Sequence, residues 1–196
     1  MNILIAVPTF ENIVPETFKG IYDLRTEGHQ TSFETVKGYD CAKARNTIAD
    51  KALEGGYDYV LMIDSDVIVP PDTIELCMTD PVDICFGFCP RKNARDKRSA
   101  VFKYGPKYGA CYTYDELNQM DPGRVEIRGA GAACAMIRTD VFEHLKYPYF
   151  KYVSYANKTF LSEDLYFCSR AREKGYQLWA DTRIRCGHLT RGFQYE

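Results

Sequence analysis

The sequence predicts an α/β protein on a mostly parallel central sheet, with helices on both faces. Three observations carry that expectation. Apolar runs of strand-forming residues alternate with helix-periodic segments through the first half of the chain. The strand-like runs are continuous rather than alternating, as in strands buried on both faces. One of them, Tyr59 to Ile63, stops abruptly at Asp64-Ser65-Asp66. Carboxylates at the end of a buried strand are costly unless paired, solvated or bound to a cation. In open α/β sheets the carboxyl ends of strands are also where ligands bind.

The elements follow in order. Asn2 to Val7 reads as a buried strand stopped by Pro8-Thr9. Val14 to Leu24 carries Val14, Phe18, Ile21 and Leu24 at helical spacing. Thr31 to Val36 mixes Thr, Phe and Val in strand fashion. Asp40 is placed to cap a helix running to about Leu53 and closed by Gly55-Gly56. After the acid-tipped strand, Asp72 to Met78 reads as a short helix and Asp83 to Phe88 as a strand. Pro90 to Ser99 is polar and basic, with Arg91, Lys92, Arg95, Lys97 and Arg98, and reads as a loop. Ala100 to Tyr104, Ala110 to Tyr114 and Arg124 to Arg128 are short strand candidates, and Ala132 to Ile137 is an apolar one. Thr139 to Leu145 reads as a helix, Ser162 opens another that ends near Gly175, and Gln177 to Ala180 is a last short strand. No linker, repeat or low-complexity segment divides the 196 residues, so one domain is expected. Residues 1–90 form a regular nucleotide-binding half, and residues 91–196 a more irregular half that shapes a substrate pocket.

An apolar content of 45% and a charged content of 27% are those of an ordinary globular protein. The net charge of −2 argues against a dedicated polyanion binder. No apolar stretch reaches membrane-spanning length, and no signal-like start is present, so a cytoplasmic protein is expected. The eight cysteines show no Cys-x-x-Cys spacing and lie mostly in apolar runs. They read as reduced core thiols.

Several segments could carry chemistry. Asp64 and Asp66 are able to hold a hard divalent cation, and through it a diphosphate; a surface turn is the alternative. His188 adds a borderline ligand, and two Asp with one His is an incomplete coordination set. Ala44-Arg45-Asn46 lies early in a helix, where Arg45 either grips a nucleotide or sits on a solvated face. Gly129-Ala130-Gly131 precedes a strand, so it is a simple turn or a place where a sugar approaches the backbone. Ser162-Glu163-Asp164 opens a helix, and either caps it or supplies a carboxylate that takes a proton from a hydroxyl. Neither a P-loop nor a dinucleotide glycine fingerprint is present.

Taken in order, Pro8-Thr9, Ala44-Arg45-Asn46, Asp64-Ser65-Asp66, the Gly-Ala-Gly turn, Ser162-Glu163-Asp164 and the late His188 resemble a glycosyltransferase of the Rossmann-like GT-A fold, close in style to family 2. The resemblance covers nearly the whole chain. It implies a nucleotide-sugar donor, with UDP as the commonest carrier, and a divalent cation. Manganese is favoured over magnesium because imidazole ligation suits it better. It implies that Asp66 and His188 ligate the metal, with Asp64 beside them on the ribose or a metal-bound water. Pro8, Thr9, Phe10, Glu11, Arg45, Asn46, Asp64, Ser65, Gly129, Ala130 and Gly131 would surround the donor. Asp164, with Glu163 beside it, would act as catalytic base in an inverting reaction on a saccharide or other hydroxyl acceptor. A sugar-1-phosphate nucleotidyltransferase is the first alternative, weakened because the loop Pro8-Thr9-Phe10-Glu11-Asn12 is not Gly-rich. A non-catalytic nucleotide-sugar binding module is the second. A base in DNA as acceptor is permitted by the basic loop, although the net charge gives it no support.

Overall fold

The structure is a computed structural model that describes residues 1–38, 40–92, 98–105, 109–156, 160–190 and 193–195. In chain order its elements are β1 (Asn2–Thr9), α1 (Pro15–Tyr22), β2 (Gln30–Lys37), α2 (Cys41–Glu54), β3 (Tyr59–Ile63), β4 (Val67–Ile68), α3 (Thr73–Met78), β5 (Ile84–Phe88), β6 (Arg98–Lys103), β7 (Cys111–Thr113), α4 (Tyr114–Leu117), β8 (Arg124–Ala130), β9 (Cys134–Arg138), α5 (Asp140–Leu145), β10 (Val153–Ser154), β11 (Phe160–Leu161), α6 (Glu163–Glu173), β12 (Trp179–Arg185), β13 (Gly187–Thr190) and β14 (Phe193–Tyr195).

Nine strands form one sheet in the order β2-β1-β3-β9-β5-β12-β8-β6-β7. The expectation of a mostly parallel sheet needs correction. β1 pairs in parallel with β2 and β3, and β12 with β5. β9, however, inserts antiparallel between β3 and β5, and β8, β6 and β7 add further antiparallel pairs. The sheet is mixed. Burial on both faces, which the sequence does encode, is the same for either direction of β9; direction is set by how the chain returns from β8. β1, β3, β5 and β12 still point the same way, so their carboxyl ends share one edge.

Both faces of the sheet are covered. Leu4, Ala6, Val60, Met62 and Phe86 pack under Ile48 of α2, Phe142 of α5 and Phe167 of α6. Ile3, Ile5, Val7, Leu61 and Ile63 alternate to the opposite face, under Ile21 of α1 and Ile74 of α3. Each such side chain contributes about 1.5–3 kcal/mol by leaving water. All eight cysteines are free, and seven are buried.

Two small sheets complete the architecture. β4, β13 and β14 lie together, with His188 opposite Val67, and β10 pairs with β11 just before α6. Among the described residues, no helix is long and apolar enough to cross a membrane.

Candidate active site

The carboxyl edge of the sheet collects part of the predicted set. β3 ends at Ile63, and the turn after it is fixed by its backbone. Asp64 N–H donates to the Ala133 carbonyl at 3.0 Å, Val67 N–H to the Asp64 carbonyl at 3.1 Å, Val14 N–H to Ser65 at 2.9 Å and Leu189 N–H to Asp66 at 2.8 Å. The last of these ties the turn to the strand that carries His188. A cleft of about 220 Å³ opens beside it, lined by Pro8, Thr9, Phe10, Gly38, Cys41, Ala44, Asp64, Ser65, Asp66 and Lys92. A larger cavity of about 530 Å³, lined by Ile68, Tyr114, Arg185 and their neighbours, contains none of the predicted residues.

Asp66 and His188 come together. His188 Nδ1 lies 2.6 Å from the Pro90 carbonyl, which only accepts, so Nδ1 carries the proton. In the neutral ring this leaves Nε2 as a bare lone pair. Nε2 is buried without a hydrogen-bond partner, 3.4 Å from Asp66 Oδ1. Two lone-pair donors facing each other at that separation suit a shared cation. Burial raises the Asp66 carboxyl; a hydrogen bond from Nε2–H of the protonated His188 ring, and one from Lys92, more than offset this and hold it below the usual Asp range. The Lys92 ammonium sits on Asp66 Oδ2.

The expected trio of Asp64, Asp66 and His188 does not assemble as a metal set. Among the described residues, no group of three or more His, Cys, Asp or Glu does. Asp64 turns instead to Arg45, whose Nη2 lies 2.5 Å from Asp64 Oδ1. Nη1 of the same guanidinium lies 2.7 Å from Glu163 Oε1. Arg45 is 2% exposed, so neither the solvated face nor the nucleotide-gripping role describes it. Its two terminal nitrogens reach carboxylates from different elements, while Nε is buried without a hydrogen-bond partner. Burial opposes its charge, yet Asp64, Cys41 and Glu163 hold it firmly protonated. Glu163 is raised by burial and by neighbouring Asp164, against the pull of Arg45. Cys41, one turn before Arg45, contacts both Arg45 and Glu163, and burial pushes its thiol up to about 12.

Asn46 also departs from its expected place. Its side-chain N–H donates to the Phe150 carbonyl at 2.8 Å, and its oxygen accepts from Tyr149 N–H at 2.9 Å and Phe150 N–H at 3.0 Å. It therefore braces a buried loop. Phe150 in turn stacks on Phe167 of α6, with centroids 4.9 Å apart. Gly129 and Ala130 are buried residues of β8 rather than a turn; only Gly131 reaches the site. A Cβ on Gly131 would stand 3.3 Å from Asp164 Oδ2. Glu11 is exposed and lies outside the cleft lining. Arg95 and Lys97 of the basic loop fall outside the described residues.

At α6, Ser162 occupies the N-cap position, but its side chain makes no capping bond. Its hydroxyl donates to Asp164 Oδ1 instead, and Leu165 N–H donates to the same oxygen at 2.7 Å. The capping alternative therefore does not describe Ser162. The pair pins one Asp164 oxygen and leaves Oδ2 facing the bare backbone of Gly131. The sequence offers Cys41 only as a core thiol, although it is half-buried at the site, offers Lys92 only within a basic loop, and does not single out Tyr152. The Cys41–Arg45 spacing of one helical turn was the available signal for the first.

No protein-family profile matches the chain, and no curated protein does. Solved structures do share its fold. A197 from STIV superposes with a TM-score of 0.66 at 18% identity, covering 97% of this chain and 86% of that one. GalNAc-T7 with UDP, GalNAc and Mn²⁺ gives 0.64 at 9% identity, over 97% of this chain but 44% of that one. The catalytic domain of Drosophila β1,4-galactosyltransferase 7 in complex with xylobiose gives 0.58 at 18% identity, over 97% and 71%. The chain thus spans less than half of the GalNAc-T7 chain. At these identities the likeness is one of fold: the architecture here is the GT-A-like one of GalNAc-T7 and the galactosyltransferase.

Proposed function

We propose that the protein is a metal-dependent glycosyltransferase, in the style of family 2, that moves a sugar from a UDP-linked donor to an acceptor hydroxyl with inversion. The observation that carries this reading is Asp164: one oxygen is fixed by Ser162 and Leu165, and the other faces a side-chain-free wall at Gly131, close to the carboxyl edge. The Leu165 contact satisfies a first-turn donor of α6, but a cap has no use for the second oxygen, whereas a general base does.

Asp66 and His188 would hold a divalent cation, manganese by preference, since one ligand is an imidazole. Bound there, the cation supplies Lewis-acid neutralisation of charge developing on a diphosphate. The cleft between Pro8, Thr9 and Ser65 would receive the nucleotide. Arg45 orients Asp64 towards that cleft and keeps Glu163 paired. Asp164 Oδ2 would accept the acceptor proton as the acceptor oxygen bonds to the anomeric carbon. The bond from that carbon to the diphosphate oxygen breaks, and its electron pair leaves with the diphosphate.

The test is incubation with UDP-sugars, manganese and a panel of saccharides. UDP release is expected. Pyrophosphate release would mark a nucleotidyltransferase, and binding without turnover a binding module. Asp164→Asn keeps the shape and most polar contacts but cannot take the proton. It should lower transfer by about 10²–10⁴-fold with an unchanged melting temperature. Transfer within a few-fold of the unaltered protein would remove Asp164 from the chemistry.

A further inference from the structure

We propose that Tyr152 and Phe160 form an aromatic platform that receives the acceptor, and that the acceptor is a saccharide. The inference rests on the reading of Asp164 as the base. Phe160 belongs to β11, which leads through Ser162 directly into the helix bearing Glu163 and Asp164. Tyr152 immediately precedes β10, the partner of β11. Their rings stack with centroids 5.8 Å apart and planes at 19°. Both are nonetheless open to water, Tyr152 at 42% and Phe160 at 62%. A stacked pair of large aromatics held at the surface is not explained by core packing.

Its position narrows the ligand. Tyr152 lies beside Glu163, and burial followed by the Glu163 charge raises its pKa. Arg45 holds Glu163 on one arm and Asp64 on the other. The donor cleft includes Asp64, and Tyr152 lies beside Glu163, so Arg45 links the cleft to the platform. A pyranose has an apolar face of C–H groups and a rim of hydroxyls. The platform offers an apolar face edged by the Glu163 carboxylate, the residue before the base. An aliphatic chain would match the rings but bring no hydroxyl to Asp164. A nucleobase would match the rings but bring no hydroxyl to Asp164.

The experiment uses the full chain, labelled, with UDP and manganese, on an array of immobilised pyranose oligosaccharides that includes xylobiose. The unaltered protein should be retained by at least one glycan. Tyr152→Ala and Phe160→Ala should each weaken retention by about ten-fold, the order expected for one lost aromatic contact. Tyr152→Phe and Phe160→Tyr keep the ring and should stay within about three-fold. UDP affinity, measured by calorimetry, should be the same in all four. Phe160 is the more exposed ring, so Phe160→Ala serves if Tyr152→Ala fails to fold. No glycan retained by the unaltered protein, or retention unmoved by the alanine variants, overturns the platform. So does a matching loss of UDP affinity, which would place a nucleobase on the rings. Platform-dependent glycan retention without UDP release from any UDP-sugar would instead count against the transferase reading alone.

Discussion

Arg45 joins two carboxylates far apart in the chain, and its burial makes it structural before it is anything else. Removing one partner of a buried pair is costly because the other charge stays behind. Arg45→Met should therefore lower unfolding free energy by about 3 kcal/mol, read by urea denaturation. Adding Glu163→Gln should recover part of that loss; additive losses would show that the pair is not coupled. This role was not legible in the sequence, since whether a helix face is solvated or buried depends on what packs against it. Asp66 and His188 were more legible, because an acid at a buried strand end and a late imidazole are unusual by type alone. Their contact, and the exclusion of Asp64 from it, needed the fold. Asp66→Ala and His188→Ala should each abolish most manganese binding, followed by electron paramagnetic resonance without nucleotide. Equal manganese uptake by the unaltered protein and both variants would refute the assignment.

At the scale of elements, the strands and helices of the first half were readable because each is long enough to show a period. β4, β10, β11 and the strands after Arg185 are not marked in the sequence, since strands of two to four residues are too short to show an alternation; β7, equally short, is marked only by the Gly and Pro residues around it. The Ala110–Tyr114 candidate proved to be a strand that yields to a helix at Tyr114, where Thr113 and Glu116 form a reciprocal cap. β5 carries a sharper constraint. A Cβ on Gly87 would lie 2.8 Å from Ile184 Cγ2, 3.0 Å from Cys134 Sγ and 3.1 Å from Cys186 Sγ. These atoms belong to β12, to β9 and to the start of the His188 strand's approach. Gly87→Ala should cost about 1–3 kcal/mol through overpacking, visible as a lower urea midpoint at constant slope. An unchanged midpoint would mean that the three strands yield freely at this point.

Over the whole molecule, acid stability has an identifiable source. Asp181 is fully buried, and Arg183 reaches it with Nη2 at 2.6 Å and Nε at 2.8 Å. Burial raises its pKa, and the Arg183 bonds outweigh that and lower it overall. A carboxyl depressed by folding contributes stability above its unfolded value, near pH 4, and loses it as pH falls through the folded value. Asp181→Asn should cost roughly 2 kcal/mol at neutral pH and flatten the fall in stability below about pH 4. A parallel fall in both proteins would assign the acid limb to other carboxylates. Lys92 has a consequence of the same electrostatic kind. With its ammonium already resting on Asp66, a divalent ion bound there would enter by exchange rather than by addition. One monovalent charge would be displaced for each ion taken up, so the proposed site would act as a small ion exchanger. Its selectivity would then depend on which cation offsets the displaced lysine, and the freed ammonium would be available beside the cleft as a counter-charge for an incoming anion.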